Sequence, residues 1–176
     1  MVQRDFNHPS IIIWSPGNEA GAGPNFDAPC DYFKEHGGSR VVAYERDEMG
    51  HNTQIFCPMY MSPSSMEKYA LSEANDRPLI QCEYNHVMGN SGGGLKEYWD
   101  VIRKYPNLQG GCIWDFVDQA LYRPEDDPRV DHVWTFGGDY NDYDFSDESF
   151  NCNGLLAADR SLHPHAYEAA YINKLS

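Results

Sequence analysis

Ile11-Ile12-Ile13-Trp14-Ser15-Pro16-Gly17-Asn18-Glu19 and Pro78-Leu79-Ile80-Gln81-Cys82-Glu83-Tyr84-Asn85-His86 share one pattern, an apolar run followed by a glutamate among polar residues. A short apolar run bounded by turn formers reads as a strand buried on both faces, as in a parallel sheet. Each run therefore delivers a glutamate, Glu19 or Glu83, to the point where its strand ends. In a β/α barrel, the C-terminal ends of the strands form the functional face.

Outward from these runs, the periodicity predicts strands over 11–14, 41–45, 55–60, 79–84 and 109–117. Asn7-His8-Pro9-Ser10 is a turn feeding the first. A helix is expected over 25–36, closed by Gly37-Gly38, with Pro29 tolerable only near its first turn. Ser64-x-x-Glu67 has the form of a capping box and opens a helix to Ala74. Leu95, Tyr98, Trp99 and Ile102 fall at i, i+3, i+4 and i+7, an apolar helical stripe that Pro106 ends. Residues 122–153 are polar, Gly- and Asp-rich and without period, and read as a long loop. Residues 164–173 read as a closing helix. Strands alternating with helices give an α/β fold with a parallel sheet and right-handed crossovers. A complete (β/α)8 TIM barrel needs about 200 residues or more, so the 176 residues here read as one domain, 1–176, forming part of one.

Composition narrows the partners. The chain holds 13 basic and 27 acidic residues, a net charge of −14. Such a surface repels nucleic acid and anionic lipid. No run approaches the roughly 18 apolar residues of a membrane span, and the N-terminus lacks the apolar core of a signal peptide. The cysteines, Cys30, Cys57, Cys82, Cys112 and Cys152, are odd in number and form no C-x-x-C pair. Cys57, Cys82 and Cys112 fall in predicted strands, where a thiol acts as a small hydrophobe. The expected location is a reducing cytoplasm. With 12 Tyr and 4 Trp, the chain also has rings to spare for sugar faces.

Two strand-end carboxylates suit retaining glycoside hydrolysis. One carboxylic acid protonates the leaving oxygen and one carboxylate attacks the anomeric carbon, about 5 to 5.5 Å apart. Two carboxyl groups that close cannot both ionise freely, which keeps one protonated near neutral pH. Asn18 is placed to hold a sugar hydroxyl or the second carboxylate. Other candidates read as structural. His8 is a turn residue, and His36, His51, His132, His163 and His165 lack metal-ligand spacing. Trp14, Trp99 and Trp134 read as core. Asp115 and Asp118 read as bonding loop backbone, and Glu125-Asp126-Asp127 lacks calcium-loop spacing and reads as solvated.

W-S-P-G-N-E (14–19), P-M-Y (58–60), C-E-Y-N-H-V-M-G-N-S (82–91), G-G-C-I-W-D-F-V-D-Q (110–119) and C-N-G-L (152–155), in this order, closely resemble the catalytic barrel of large bacterial β-galactosidases in glycoside hydrolase family 2. The resemblance implies a TIM barrel entered at its fourth strand, about strands 4 to 8. It assigns Glu19 as acid/base and Glu83 as nucleophile. It makes Asn18, Tyr60, His86, Trp114 and Asn153 substrate-binding, with Tyr60 also assisting proton transfer and Trp114 a platform under the sugar. It implies Mg2+ held in part by Glu19, with the other ligands upstream of Met1. It also implies Na+ held by the Phe150 backbone carbonyl and the Asn153 side chain. Pro16, Ala22 and Asn151-Cys152 depart from the family's common forms.

The resemblance further implies a β-galactoside substrate, lactose among them, cleaved by double displacement, a partner in the N-terminal remainder of a parent chain, and a homo-oligomer in the parent enzyme. A related β-glucuronidase or β-mannosidase is an alternative. So is a truncated, catalytically silent fragment that binds sugar or complements a missing half, since an open half-barrel exposes strand edges and its apolar interior.

Overall fold

A computed structural model describes residues 1–123 and 134–174. The chain divides into two compact units, Met1–Cys82 with Asp100–Gly111, and Glu83–Trp99 with Cys112–Ser176.

In the first unit the strands lie side by side in chain order, all parallel. β1 (Ile13–Trp14) pairs with β2 (Val41–Val42) in the register Ile13↔Val41 and Trp14↔Val42. The next lane, residues 54–58, joins both neighbours. Gln54 N–H donates to Val42 O, Phe56 N–H to Pro78 O, Ile80 N–H to Phe56 O, and Cys82 N–H to Pro58 O. The last three bonds tie this lane to β3 (Leu79–Tyr84), which pairs with β4 (Leu108–Ile113). Leu79 N–H donates to Asn107 O, and Trp114 N–H to Tyr84 O. These two bonds fall in the same order along both strands, so the pair is parallel.

Side chains alternate between two layers, as the pleat requires. Trp14 and Val42 form a buried cluster with Cys30 and Phe33 of α2 (Pro24–His36). Phe56 stacks on Tyr69 of α3 (Pro63–Leu71) at 4.8 Å. Ile13, Val41, Ala43, Ile55, Cys57, Ile80 and Cys82 share the opposite face. The second unit has its own core, Tyr84, Leu95, Ala169 and Ile172, with Tyr98, Trp99, Ile113 and Leu155 packed against it. It joins α4 (Leu95–Lys104) to α5 (Pro164–Asn173). The 95–102 stripe and the closing helix thus match their predictions. Glu168 of α5 accepts the otherwise unsatisfied N–H groups of Leu95 and Lys96 at 2.9 and 3.4 Å, capping α4 from outside it.

Several elements differ from the sequence reading. The third lane carries strand-like bonds but no regular strand, since Pro58 has no N–H to donate. Cys57 is therefore outside any strand, though buried. Pro29 sits well inside α2. Such a proline costs on the order of 3 kcal/mol in an isolated helix, and burial of Cys30 and Phe33 offsets it. The cap of α3 is Ser62, whose side chain accepts from Ser65 N–H, with Pro63 at the first position, and the helix stops at Leu71. Glu67 instead accepts from Lys104 Nζ at 2.8 Å and Tyr105 Oη at 2.7 Å. A short helix, α1 (Val2–Asp5), precedes the turn.

β1, β2 and β4 are shorter than expected. Residues 122–153 are not all loop. β5 (Leu121–Tyr122) pairs antiparallel with β6 (Trp134–Thr135), and 3-10 turns occupy Gly137–Asp139 and Glu148–Asn151. Trp134 is 36% exposed rather than core, because its ring packs edge-on against Tyr122. His132 and the acidic 125–127 stretch lie outside the described residues.

Removing the external cap tests the α4–α5 link. Glu168→Ala should cost about 1 kcal/mol of stability, read from denaturant midpoints, with faster exchange of the Leu95 and Lys96 amides. Glu168→Gln, which keeps an acceptor oxygen, should lose less.

Candidate active site

In the first unit, Asn18 and Glu19 occupy the exposed loop after β1. Glu19 adopts the left-handed conformation, φ 49°, which an L-residue enters only at a cost. The end of β2 holds it there. The N–H of Glu19 donates to Glu45 Oε1. The N–H of Ala20 donates to Tyr44 Oη at 3.2 Å, and the same hydroxyl donates to Gly21 O at 2.7 Å. Burial pushes the Tyr44 phenol up from its ordinary pKa, with the Ala20 backbone bond opposing. Its ring stacks on Phe26 of α2 at 4.5 Å. Arg46 Nη2 lies 3.3 Å from Glu19 Oε1 and its Nε 3.7 Å from Glu45 Oε1. The Glu19 side chain is 54% exposed and that of Glu45 only 7%.

Tyr60, also left-handed at φ 52°, follows the third lane and is 41% exposed. The next amide, Met61 N–H, donates to Oε1 of the fully buried Gln81 at 2.6 Å. Nε2 of Gln81 rests on Met66 Sδ at 3.3 Å. Gln81 thereby pins the tyrosine's loop to β3.

In the second unit, Glu83 and Tyr84 end β3. Burial along this strand alternates through Leu79, Ile80, Gln81 and Cys82, then slips, leaving Cys82 and Glu83 both half-buried before Tyr84 is buried again. Strict alternation would have placed Glu83 in the buried layer of Leu79 and Gln81. Tyr84 is anchored by Trp99 Nε1, which donates to its hydroxyl at 3.1 Å. Burial pushes that phenol upward too. The chain then turns at Asn85, φ 55°. The His86 ring lies 5.4 Å from that of Phe150.

Trp114 follows β4, half-buried, and its indole N–H meets no acceptor among the described residues. Asp115 N–H donates to Asn153 O, and Leu155 N–H to Asp115 O. Asn153 is 1% exposed. Its amide nitrogen contacts the Phe150 carbonyl, while its Oδ1 has no hydrogen-bond partner. Asp118 accepts from Gly154 N–H at 2.8 Å and pairs with His163 at 2.8 Å. Asp118 does bond loop backbone, and His163 is structural. So is His165, whose ring meets Gly154 O at 2.8 Å.

The structure thus gathers Glu83, Tyr84, His86, Trp114, Phe150 and Asn153 into one unit, and Asn18, Glu19 and Tyr60 into the other. Sequence reasoning passed over Tyr44, Glu45, Arg46 and Gln81, the groups that brace the first set. A signal for Glu45 was available, since it too is a glutamate closing the apolar run that begins at Val41.

An orphaned, buried Oδ1 beside a backbone carbonyl fits a sodium ion, a hard cation that takes oxygen ligands, after a simple amide rotation. A magnesium site is different. Among the described residues no group of three or more His, Cys, Asp or Glu is placed to hold a metal, and Glu19 faces Arg46.

Parallel strands in chain order, with helices α2, α3 and α4 between them, define a β/α-barrel class. The sequence matches the family described as "Glycosyl hydrolases family 2, TIM barrel domain" over residues 1–175, and the chain belongs to that family. It is 48% identical over 181 residues to a β-galactosidase of Aeromonas hydrophila, covering 96% of this chain and 17% of that protein. To a β-galactosidase of Pseudoalteromonas haloplanktis it is 45% identical over 185 residues, covering 97% and 17%. The chain therefore spans 17% of the length of these relatives. Among solved structures, a glycosyl hydrolase family 2 member from Bacteroides cellulosilyticus superposes with TM-score 0.63 at 18% identity, covering 98% of this chain and 20% of that one. A β-D-glucuronidase of Dictyoglomus thermophilum gives 0.60 at 17% identity, covering 99% and 34%. These structural likenesses place the fold in the TIM-barrel class.

The brace on Glu19 carries a pH signature. A phenol whose pKa is raised by folding leaves stability intact below its unfolded value of about 10 and withdraws it as pH rises beyond. Stability should fall above about pH 10 in thermal unfolding, and Tyr44→Phe should remove part of that alkaline loss. At neutral pH the same variant should cost about 1 kcal/mol and speed exchange of the Ala20 amide.

Proposed function

We propose that the chain is the catalytic barrel segment of a retaining β-galactosidase that cleaves terminal β-D-galactosides. The observation that carries this is the cluster in the second unit, where the His86 ring, the Phe150 carbonyl and the orphaned Asn153 oxygen lie together in the unit that holds Glu83. Identity of 43–48% to the named β-galactosidases, against 17% to the β-glucuronidases, favours galactose over glucuronic acid.

In the proposed reaction Glu83 attacks the anomeric carbon while Glu19 gives its proton to the departing oxygen. A galactosyl ester on Glu83 forms, and the aglycone leaves protonated. Glu19, now a carboxylate, takes a proton from water, whose oxygen attacks the same carbon and frees Glu83. Asn18 and His86 hold sugar hydroxyls, Trp114 supports the apolar ring face, and Tyr60 binds the sugar and assists proton transfer. The Phe150 carbonyl and Asn153 Oδ1 would hold a sodium ion, which supplies fixed positive charge to a galactose hydroxyl. The residues around Glu19 do not by themselves form a magnesium site, and the mechanism is written without one. The remainder of a longer polypeptide and further subunits are proposed partners. The free cysteines accord with a reducing cytoplasm.

Treatment of the full-length enzyme with a 2-fluoro-galactoside should place the label on Glu83, and a label on any other residue refutes its role. Glu19→Ala should lower turnover of substrates with poor leaving groups on the order of 10²- to 10⁴-fold. Asn153→Ala should abolish the dependence of KM on sodium. The 176-residue chain alone is expected to leave a chromogenic galactoside intact.

A further inference from the structure

Glu45 has no role in the reaction as written, yet its placement is unusual. Its side chain is 7% exposed, and a carboxylate is not buried without partners. One partner is the N–H of Glu19, the residue proposed as acid/base. The other is Arg46, 3.7 Å away through Nε, whose Nη2 reaches the Glu19 carboxylate at 3.3 Å. Arg46 and Glu19 are each about half exposed, so their pairing is worth little as a surface ion pair. The bond from Glu19 N–H to a buried carboxylate is charge-assisted, and such bonds are roughly twice as strong as neutral ones. It acts on a residue in the left-handed region, φ 49°, whose backbone would otherwise relax and carry its side chain elsewhere.

We propose that Glu45 is a positioning residue for Glu19. It fixes the Glu19 backbone and engages Arg46, so that the acid's carboxyl does not face that guanidinium unopposed. This rests on the reading of Glu19 as acid/base. Without Glu45 the Glu19 backbone loses its clasp and the acid is misplaced. The damage should therefore fall on proton transfer rather than on binding.

Leaving-group dependence reads that step. In the full-length enzyme, kcat/KM would be compared for an alkyl galactoside, which needs the proton, and a dinitrophenyl galactoside, which does not. Glu45→Ala should lower the alkyl value on the order of tenfold or more beyond the aryl value. Glu45→Gln keeps an oxygen for the Glu19 N–H and should restore most of that loss. Equal losses on both substrates in Glu45→Ala, with the split intact in Glu19→Ala, would overturn the positioning role alone. Absence of the split in Glu19→Ala would overturn the acid/base reading beneath it. If Glu45→Ala does not fold, Glu45→Asp, whose carboxylate is drawn back from the Glu19 N–H by one methylene, should show the same excess loss on the alkyl substrate in smaller measure, and equal losses on both substrates overturn the proposal.

Discussion

The lane at residues 54–58 is the seam on which the first unit depends. β1 with β2 and β3 with β4 are each only two-stranded pairs, and isolated pairs of strands are marginal in water. Gln54 ties the seam to Val42, with its side-chain oxygen accepting the Val42 N–H at 2.7 Å and its own N–H reaching Val42 O. Phe56 and Pro58 tie it to β3. Gln54 thus holds the β2 side of the seam, and Phe56 and Pro58 hold the β3 side. Ile55 and Cys57 fill one face, and Phe56 meets α3 on the other.

From that sheet follows a rule about the loops. Parallel strands end abruptly, and the chain must turn toward the next helix. At Glu19 and Tyr60 it does so through left-handed residues that are not glycine. Such conformations persist where the surroundings over-determine them. Each is held by a polar side chain from the next lane: Glu45 and Tyr44 beyond β2 hold the loop after β1, and Gln81 of β3 holds the loop after the third lane. At Asn85 the chain supplies its own brace, the Asn85 Oδ1 accepting Gly93 N–H at 3.3 Å. Bracing by the next strand lets an exposed loop carry a positioned carboxyl group.

What was legible in the sequence was whatever rests on local periodicity. The helices at Pro24–His36 and Pro164–Asn173 and the strand Leu79–Tyr84 lie where apolar spacing and proline put them. Capping was misread because Ser62, Ser64 and Ser65 offer competing hydroxyls. Proline at the first position decides for Ser62, a contact invisible to the Ser64-Glu67 pattern, while Glu67 is taken by two residues far along the chain, Lys104 and Tyr105. Trp134 reads as core, and the β5–β6 pair goes unseen, because two-residue strands have no period. The strand-end glutamates Glu19 and Glu83 were legible by one rule, and the same rule applied to Val41–Glu45 points at Glu45. Its burial and its backbone acceptor role, however, come from the juxtaposition of two strands. No one-dimensional pattern contains that.

The two proposed catalytic carboxylates sit in unlike settings. A nucleophile must meet the anomeric carbon along one line, and small displacements are costly. Glu83 belongs to a hydrogen-bonded strand whose next residue is locked by Trp99 and Trp114. An acid/base must serve two partners in turn, the departing oxygen and then water, and must change charge between them. Glu19 stands on a loop, half-exposed, with a cation on one side and its backbone clasped from below by a buried anion. Proton exchange needs that access to water. One carboxylate thus sits on a rigid strand end and the other on a braced, accessible loop. Environments this different let two chemically identical side chains take unlike parts.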